Sequence, residues 1–236
     1  MHYCGVVPMQ GTLQLAMLEE VRAPEPPIRL SAMFFEPGSA SQVAAELASL
    51  GDLVLGVGAP SGEQGGEGPG RECDSLLAER GVQPQPADRE IGRLRELLGE
   101  LSPFAPPDQE REGPVAEGAY HEAALFETNP DGIFCALQGR RLPAKRHPLG
   151  LQLRIAELED DHVIDEGGDL WHRRIEEIDA AACALCAHRY ALGHASWLGN
   201  PEEAVLVLPG STLPSEFARE GVLPPVERLQ LPVVSG

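Results

Sequence analysis

The 236-residue chain is 42% hydrophobic, enough for a sizeable core, and carries a formal net charge of −19 with Lys145 as its single lysine. That charge repels phosphate backbones and disfavours a basic nucleic-acid-binding surface, and no apolar run approaches the roughly 18 to 20 residues of a membrane helix. The five cysteines (Cys4, Cys73, Cys135, Cys183 and Cys186) are an odd number in a chain with its own core, which points to reduced thiols in a cytoplasmic protein.

Three short strands open the pattern. His2 to Met9 carries Tyr3, Val6 and Val7; Leu13 to Val21 alternates through Leu13, Leu15 and Met17, with Gly11-Thr12 as the turn; Ile28 to Glu36 follows a proline break. Ser39 or Ser41 caps a helix running to Leu50, and Asp52 to Val57 is an unbroken apolar run, as in a strand buried on both faces. A Gly-rich loop over 59–70 precedes helices over Glu72 to Arg80 and Asp88 to Leu101, and a Pro-rich acidic loop covers 102–118. Ala119 to Glu127 reads as another buried strand. Pro130 to Gln138 and Leu149 to Leu158 read as helices, Glu159 to Asp169 as a loop, Trp171 to Leu192 as one long helix, and Ala204 to Leu208 as a closing strand.

Three consecutive strands followed by strand–helix alternation predict a mixed sheet: an antiparallel meander continued by parallel strands, with helices covering it. That order is the RNase H-like α/β fold. One domain is expected over residues 1–210, with 211–236 as a Pro-rich tail.

Four local patterns carry a family resemblance. Val57-Gly58-Ala59-Pro60-Ser61-Gly62 closes a buried strand, Arg71-Glu72-Cys73-Asp74 opens the next helix, and Phe126-Glu127-Thr128-Asn129-Pro130 closes another strand. Ile178-Asp179-Ala180-Ala181-Ala182-Cys183-Ala184 lies in the long helix, with Val207-Leu208-Pro209 ending the strand after it. In that order they resemble the RNase H-like predicted nucleases grouped as domain of unknown function 429, over about residues 1 to 210. The resemblance implies a cluster of carboxylates holding divalent cations, with Glu127 and Asp179 as catalytic and metal-binding residues; Arg71 and Arg154 match family positions, Arg71 either contacting a substrate phosphate or tying the loop to Glu72 or Asp74, and Lys145, in the one basic cluster, is the other substrate-facing candidate.

Two expected acids are missing. Val7 stands where the family's first aspartate should follow Gly5-Val6, and Gly58 stands in the place of the aspartate of Asp-Ala-Pro. A cation pair of the two-metal kind needs more oxygen donors than two carboxylates supply. Glu127 and Asp179 are enough for one weakly held Mg²⁺ or Mn²⁺. Three readings stay open: a metal-dependent nuclease or phosphoesterase of impaired activity, with Glu19, Glu20 or Glu36 as substitute acids; a non-catalytic binding module on the same fold; and a subunit stabilised by a partner. Nucleic acid is a partner by resemblance and is disfavoured by charge; a membrane is not expected, and no motif fixes an oligomeric state.

Other signals have plainer explanations. Cys183-x-x-Cys186-x-His188 lacks the second ligand pair of a structural zinc site, and its alanine neighbours fit a helix packed closely on a sheet. The Gly62 to Gly70 segment lacks the Lys-Ser/Thr ending of a phosphate loop and carries Glu63 and Glu67. Arg140, Arg141, Lys145, Arg146 and His147 form the one basic cluster of an acidic chain.

Overall fold

In the computed structural model the described residues are 1–24, 26, 28–61, 70–99, 101–106, 110–121 and 124–219. Strand β1 (His2–Met9) pairs antiparallel with β2 (Thr12–Arg22), and β2 pairs antiparallel with β3 (Ile28–Phe34). The turn falls on Gln10 and Gly11, both at positive φ (47° and 83°), one residue earlier than expected. Such a two-residue turn matches the twist of its strands, and glycine adopts that conformation without strain.

β4 (Leu53–Val57) and β6 (Leu125–Glu127) extend the sheet parallel to β1. The whole sheet also holds β5 (Glu112–Pro114), β7 (Val163–Asp165), β8 (Ala195–Asn200) and β9 (Ala204–Pro209), in the order β5-β8-β9-β6-β4-β1-β2-β3-β7. A meander towards the β7 edge, continued by parallel strands on the β1 side, is the RNase H-like arrangement expected from the sequence.

Three strands were not expected. β5 and β7 are three-residue edge strands, too short to show alternation, and lie in segments that read as loops. β8 begins four residues after the end of the long helix, and Gly199 interrupts its apolar run. The Ala119 to Glu127 strand shrinks to its last three residues, preceded by a 3-10 turn at Ala119–His121.

Helices α1 (Ala40–Ser49) and α3 (Arg89–Leu97) cover one face of the sheet, where Val43, Leu47, Ile91 and Leu94 meet Val6, Leu15, Leu55, Val57 and Leu125. Ser39 closes α1 with a reciprocal cap to Gln42, and Asp88 caps α3 by accepting from the Glu90 and Ile91 amides. The opposite face is covered by α2 (Glu72–Glu79), α4 (Pro130–Gln138), α5 (Pro148–Asp160) and α6 (Ile175–Ala191). The expected helix from Trp171 breaks after a 3-10 turn at Leu170–His172, and α6 starts anew from Arg174, whose amide donates to the Glu177 carboxylate at 2.8 Å.

α6 lies unusually close to the sheet. A Cβ at Gly5 would come within 2.0 Å of the Ala180 carbonyl oxygen and 2.4 Å of the Ala184 amide nitrogen. Gly56 faces the Cys183 carbonyl at 2.7 Å in the same way. Alanines and cysteines on the helix and glycines on the strands therefore define the interface together; the sequence pattern anticipated the helix side of it.

Of the residues expected to be buried strand positions, Val6, Val7, Leu15, Met17, Leu55, Val57 and Leu125 are buried, and Val205 is half-buried. All five cysteines are free and buried, and burial pushes the Cys186 thiol up to about 12. Cys183, Cys186 and His188 do not converge, since Cys186 lies against Thr128 and the Val207 carbonyl while His188 meets Glu20. Most of the Gly-rich loop, residues 62–69, lies outside the described residues.

Candidate functional site

Val7, Gly58 and Glu127 lie at one end of the sheet, where β1, β4 and β6 finish. Val7 and Gly58 are in direct contact there: a Cβ at Gly58 would meet Val7 Cγ1 at 2.7 Å, Cys183 Sγ at 2.9 Å and Pro130 Cγ at 3.2 Å. Both positions that carry acids in the resembling family are thus filled by a tight apolar contact beneath α6. Beside Val7 in register is Gln14, fully buried, whose amide donates to the Phe35 carbonyl at 2.8 Å.

Glu127 does not share that face. It is in register with Val57 and alternates with Phe126; Val57 packs toward α1 and α3, whereas Phe126 packs toward α6. Its side chain is 5% exposed and is gripped by Arg71, the residue before α2, with Nη1 to Oε2 at 2.9 Å and Nη2 to Oε1 at 2.7 Å. Arg71 also donates through Nε and Nη2 to Asp74, both at 2.9 Å, and Arg95 from α3 stands 3.6 Å from Glu127. Burial works against the charge of Arg71, but its hydrogen bonds to Glu127 and Asp74 more than offset this and hold its pKa above the ordinary value. Burial dominates at Arg95, whose pKa is lowered.

Asp179 sits in the first half of α6, one turn before Cys183, on the face that holds Val7 and Gly58. Its Oδ2 accepts from Lys145 Nζ at 2.7 Å, while its buried Oδ1 has no hydrogen-bond partner. Burial pushes the carboxyl up to about 6, against the pull of Lys145. The lysine is half-buried, which works against its charge, yet Asp179 keeps its pKa above the usual value. The pair is ionised at neutral pH and loosens as the carboxyl takes a proton.

Arg154 is 2% exposed on α5 and holds its own local structure together. Its Nη1 donates to the Pro143 and Gly150 carbonyls at 2.9 and 2.8 Å, and its Nη2 to Asp131 Oδ1 at 2.6 Å. The structure therefore brings together Arg71 with Glu127, Lys145 with Asp179, and Arg154 with Asp131, and does not bring Glu127 to Asp179. Sequence reasoning assigned the acids to metal and the cations to substrate, but most of them answer one another. Asp131 and Arg95 were not picked out, because each lies in an ordinary helical pattern and gains meaning only from a distant partner.

The substitute acids are elsewhere. Glu20 bonds His188 Nε2 at 3.1 Å, in the half of β2 that pairs with the start of β1, away from Val7. Glu19 is beside it, and Glu36 is exposed. Among the described residues, no group of three or more His, Cys, Asp or Glu side chains could share a metal ion. The donors do not fit a pair of divalent cations: both Glu127 oxygens are taken by a guanidinium, one Asp179 oxygen by an ammonium, and the space between is apolar.

The chain belongs to the family described as "Protein of unknown function (DUF429)", whose model matches residues 10–203. A solved structure of RuvC from Thermus thermophilus is 13% identical, with a TM-score of 0.39, covering 82% of this chain and 93% of that one. No curated protein matches the chain. No helix among the described residues is long and apolar enough to cross a membrane.

Proposed function

We propose that this chain is an RNase H-like domain in which metal-dependent phosphodiester cleavage is impaired, and which acts as a non-catalytic binding module in the cytoplasm. One observation carries the reading. The two surviving acids are closed by the protein's own cations, Glu127 by the fork of Arg71 and Asp179 by Lys145. A guanidinium paired with both oxygens of a carboxylate is among the stronger ionic contacts a protein makes, and a divalent ion would have to displace it. The buried free thiols support a reducing compartment, and the net charge of −19 weighs against nucleic acid as the ligand.

The test is a cleavage assay on single- and double-stranded substrates with Mg²⁺ and Mn²⁺, alongside calorimetric metal titration. Cleavage is expected at background, with no metal binding at millimolar concentrations. Robust metal-dependent cleavage that Glu127→Ala abolishes would overturn the reading. The double variant Val7→Asp, Gly58→Asp is not expected to restore activity. The Gly58 position has no room for a side chain without displacing Cys183, and Glu127 remains on the other face.

A further inference from the structure

Arg141 of the basic cluster lines a cavity of about 450 Å³ between α2, α4, α5 and the loop that follows α4. Arg141, Arg154 and Arg219 line it, with Asp131 as the one carboxylate, and Val82, Leu142 and Pro143 contribute apolar wall. Glu216 pairs with Arg141 and Asp131 with Arg154, so three guanidiniums stand here against two carboxylates, an excess unusual in a chain of net charge −19.

The arginines are held in place rather than free on the surface. Arg141 lies directly over Gly81: a Cβ there would fall within 2.0 Å of the guanidinium, and Gly81 itself has a φ of 85°. Arg141 Nη2 reaches Glu216 at 2.8 Å, and its backbone amide donates to the Ala218 carbonyl at 2.9 Å. That contact and the fully buried Phe217, whose amide donates to the Arg80 carbonyl at 3.2 Å, bring Arg219 to the rim. Two donors have no acceptor. Arg141 Nε and Arg154 Nε are both buried and unpartnered, and both residues line this one cavity. A buried N–H left without an acceptor costs about 1–3 kcal/mol; neither nitrogen has accessible surface, so both lie beneath the cavity wall rather than open to it.

We infer that this cavity binds the phosphate monoester of a small molecule. The dianion would sit among Arg141, Arg154 and Arg219, and the organic part against Val82, Leu142 and Pro143. Planar guanidinium forks suit phosphate oxygens, and the volume suits a ligand of nucleotide size. The cavity lies beside the Lys145–Asp179 pair, and neither Glu127 nor a metal takes part. The inference goes beyond the function proposed above and stands or falls separately from it.

The test is calorimetry on the full chain with adenosine 5′-monophosphate, ribose 5-phosphate, inorganic phosphate and neutral adenosine. The two monoesters are expected to bind at least tenfold more tightly than inorganic phosphate, and adenosine not at all. Arg141→Gln and Arg219→Gln should each weaken monoester binding about tenfold, while the denaturant midpoint without ligand serves as the folding control. Arg154→Lys is not the variant of choice, because its guanidinium also anchors two carbonyls. Failure of the unmodified chain to bind either monoester would overturn the inference. So would binding that survives both substitutions, or binding that equal concentrations of sulfate or chloride abolish, the mark of an adventitious ion only. Neither result depends on whether the chain cleaves nucleic acid.

Discussion

Glu127 and Asp179 lie at the same end of one sheet and are nearly equally buried, at 5% and 3% exposure, yet their surroundings treat them differently. Glu127 meets a planar fork that satisfies both oxygens, with a second guanidinium behind it. Asp179 meets a single ammonium and keeps one oxygen unsatisfied, which is why burial lifts its pKa to about 6. The difference lies in the geometry of the partner rather than in depth. A two-pronged arginine satisfies both carboxylate oxygens at once, whereas a lysine reaches only one.

Substitutions can break that comparison from either side. The largest effect is expected for Gly5→Ala, which pushes a methyl into the backbone of α6 and so displaces the helix carrying Asp179 while leaving the Arg71–Glu127 contact untouched. A loss of about 4 kcal/mol or more, measured by denaturant unfolding, is expected. Next is Glu127→Ala. It leaves Arg71 with Asp74 alone and takes the carboxylate from half-buried Arg95, and should cost about 3 kcal/mol, with Glu127→Gln recovering part of the loss.

The third prediction concerns pH. Asp179 is raised from 3.8 to about 6 on folding, so between those values the folded chain holds a proton that the unfolded chain has lost. Its contribution to stability therefore falls as pH rises from about 4 to about 6, by roughly 2–3 kcal/mol at most, and is flat above. Asp179→Asn should remove that segment, gaining on the unmodified chain across this window. A difference curve that is flat from pH 4 to 7 would contradict the burial effect. Lys145→Met gives the smallest change, a loss of about 1 kcal/mol at pH 7 that vanishes near pH 5, where Asp179 is already protonated. Carboxyl NMR should then place the Asp179 midpoint above 6.

Much of the fold was legible because the relevant signals are local. The bounds of β1 and α4 follow directly from the sequence: Tyr3, Val6 and Val7 mark the one, and Asn129 with Pro130 at the first turn marks the other. The close seat of α6 was also readable, from its run of alanines and cysteines. β5 and β7 were hidden because a three-residue edge strand has no periodicity to display. In the site, the residue types were readable and their pairings were not. Arg71 and Glu127 are 56 residues apart, and Lys145 and Asp179 are 34 apart, so only the folded chain reveals that the cations answer the acids. The face of Glu127 depended on the register of a three-residue strand, which no pattern in the sequence specifies.

Phe217 has a practical meaning for where this domain stops. A shortened chain ending at residue 210 would leave an empty socket where a fully buried aromatic ring now packs, and would remove the bridge between Arg140 and Ala218. Voids of that size cost several kcal/mol when a phenylalanine is deleted from a core. A shortened piece that keeps this packing therefore has to run at least through Ala218. Truncations made at the visible end of the sheet would aggregate or unfold for a reason that has nothing to do with the strands.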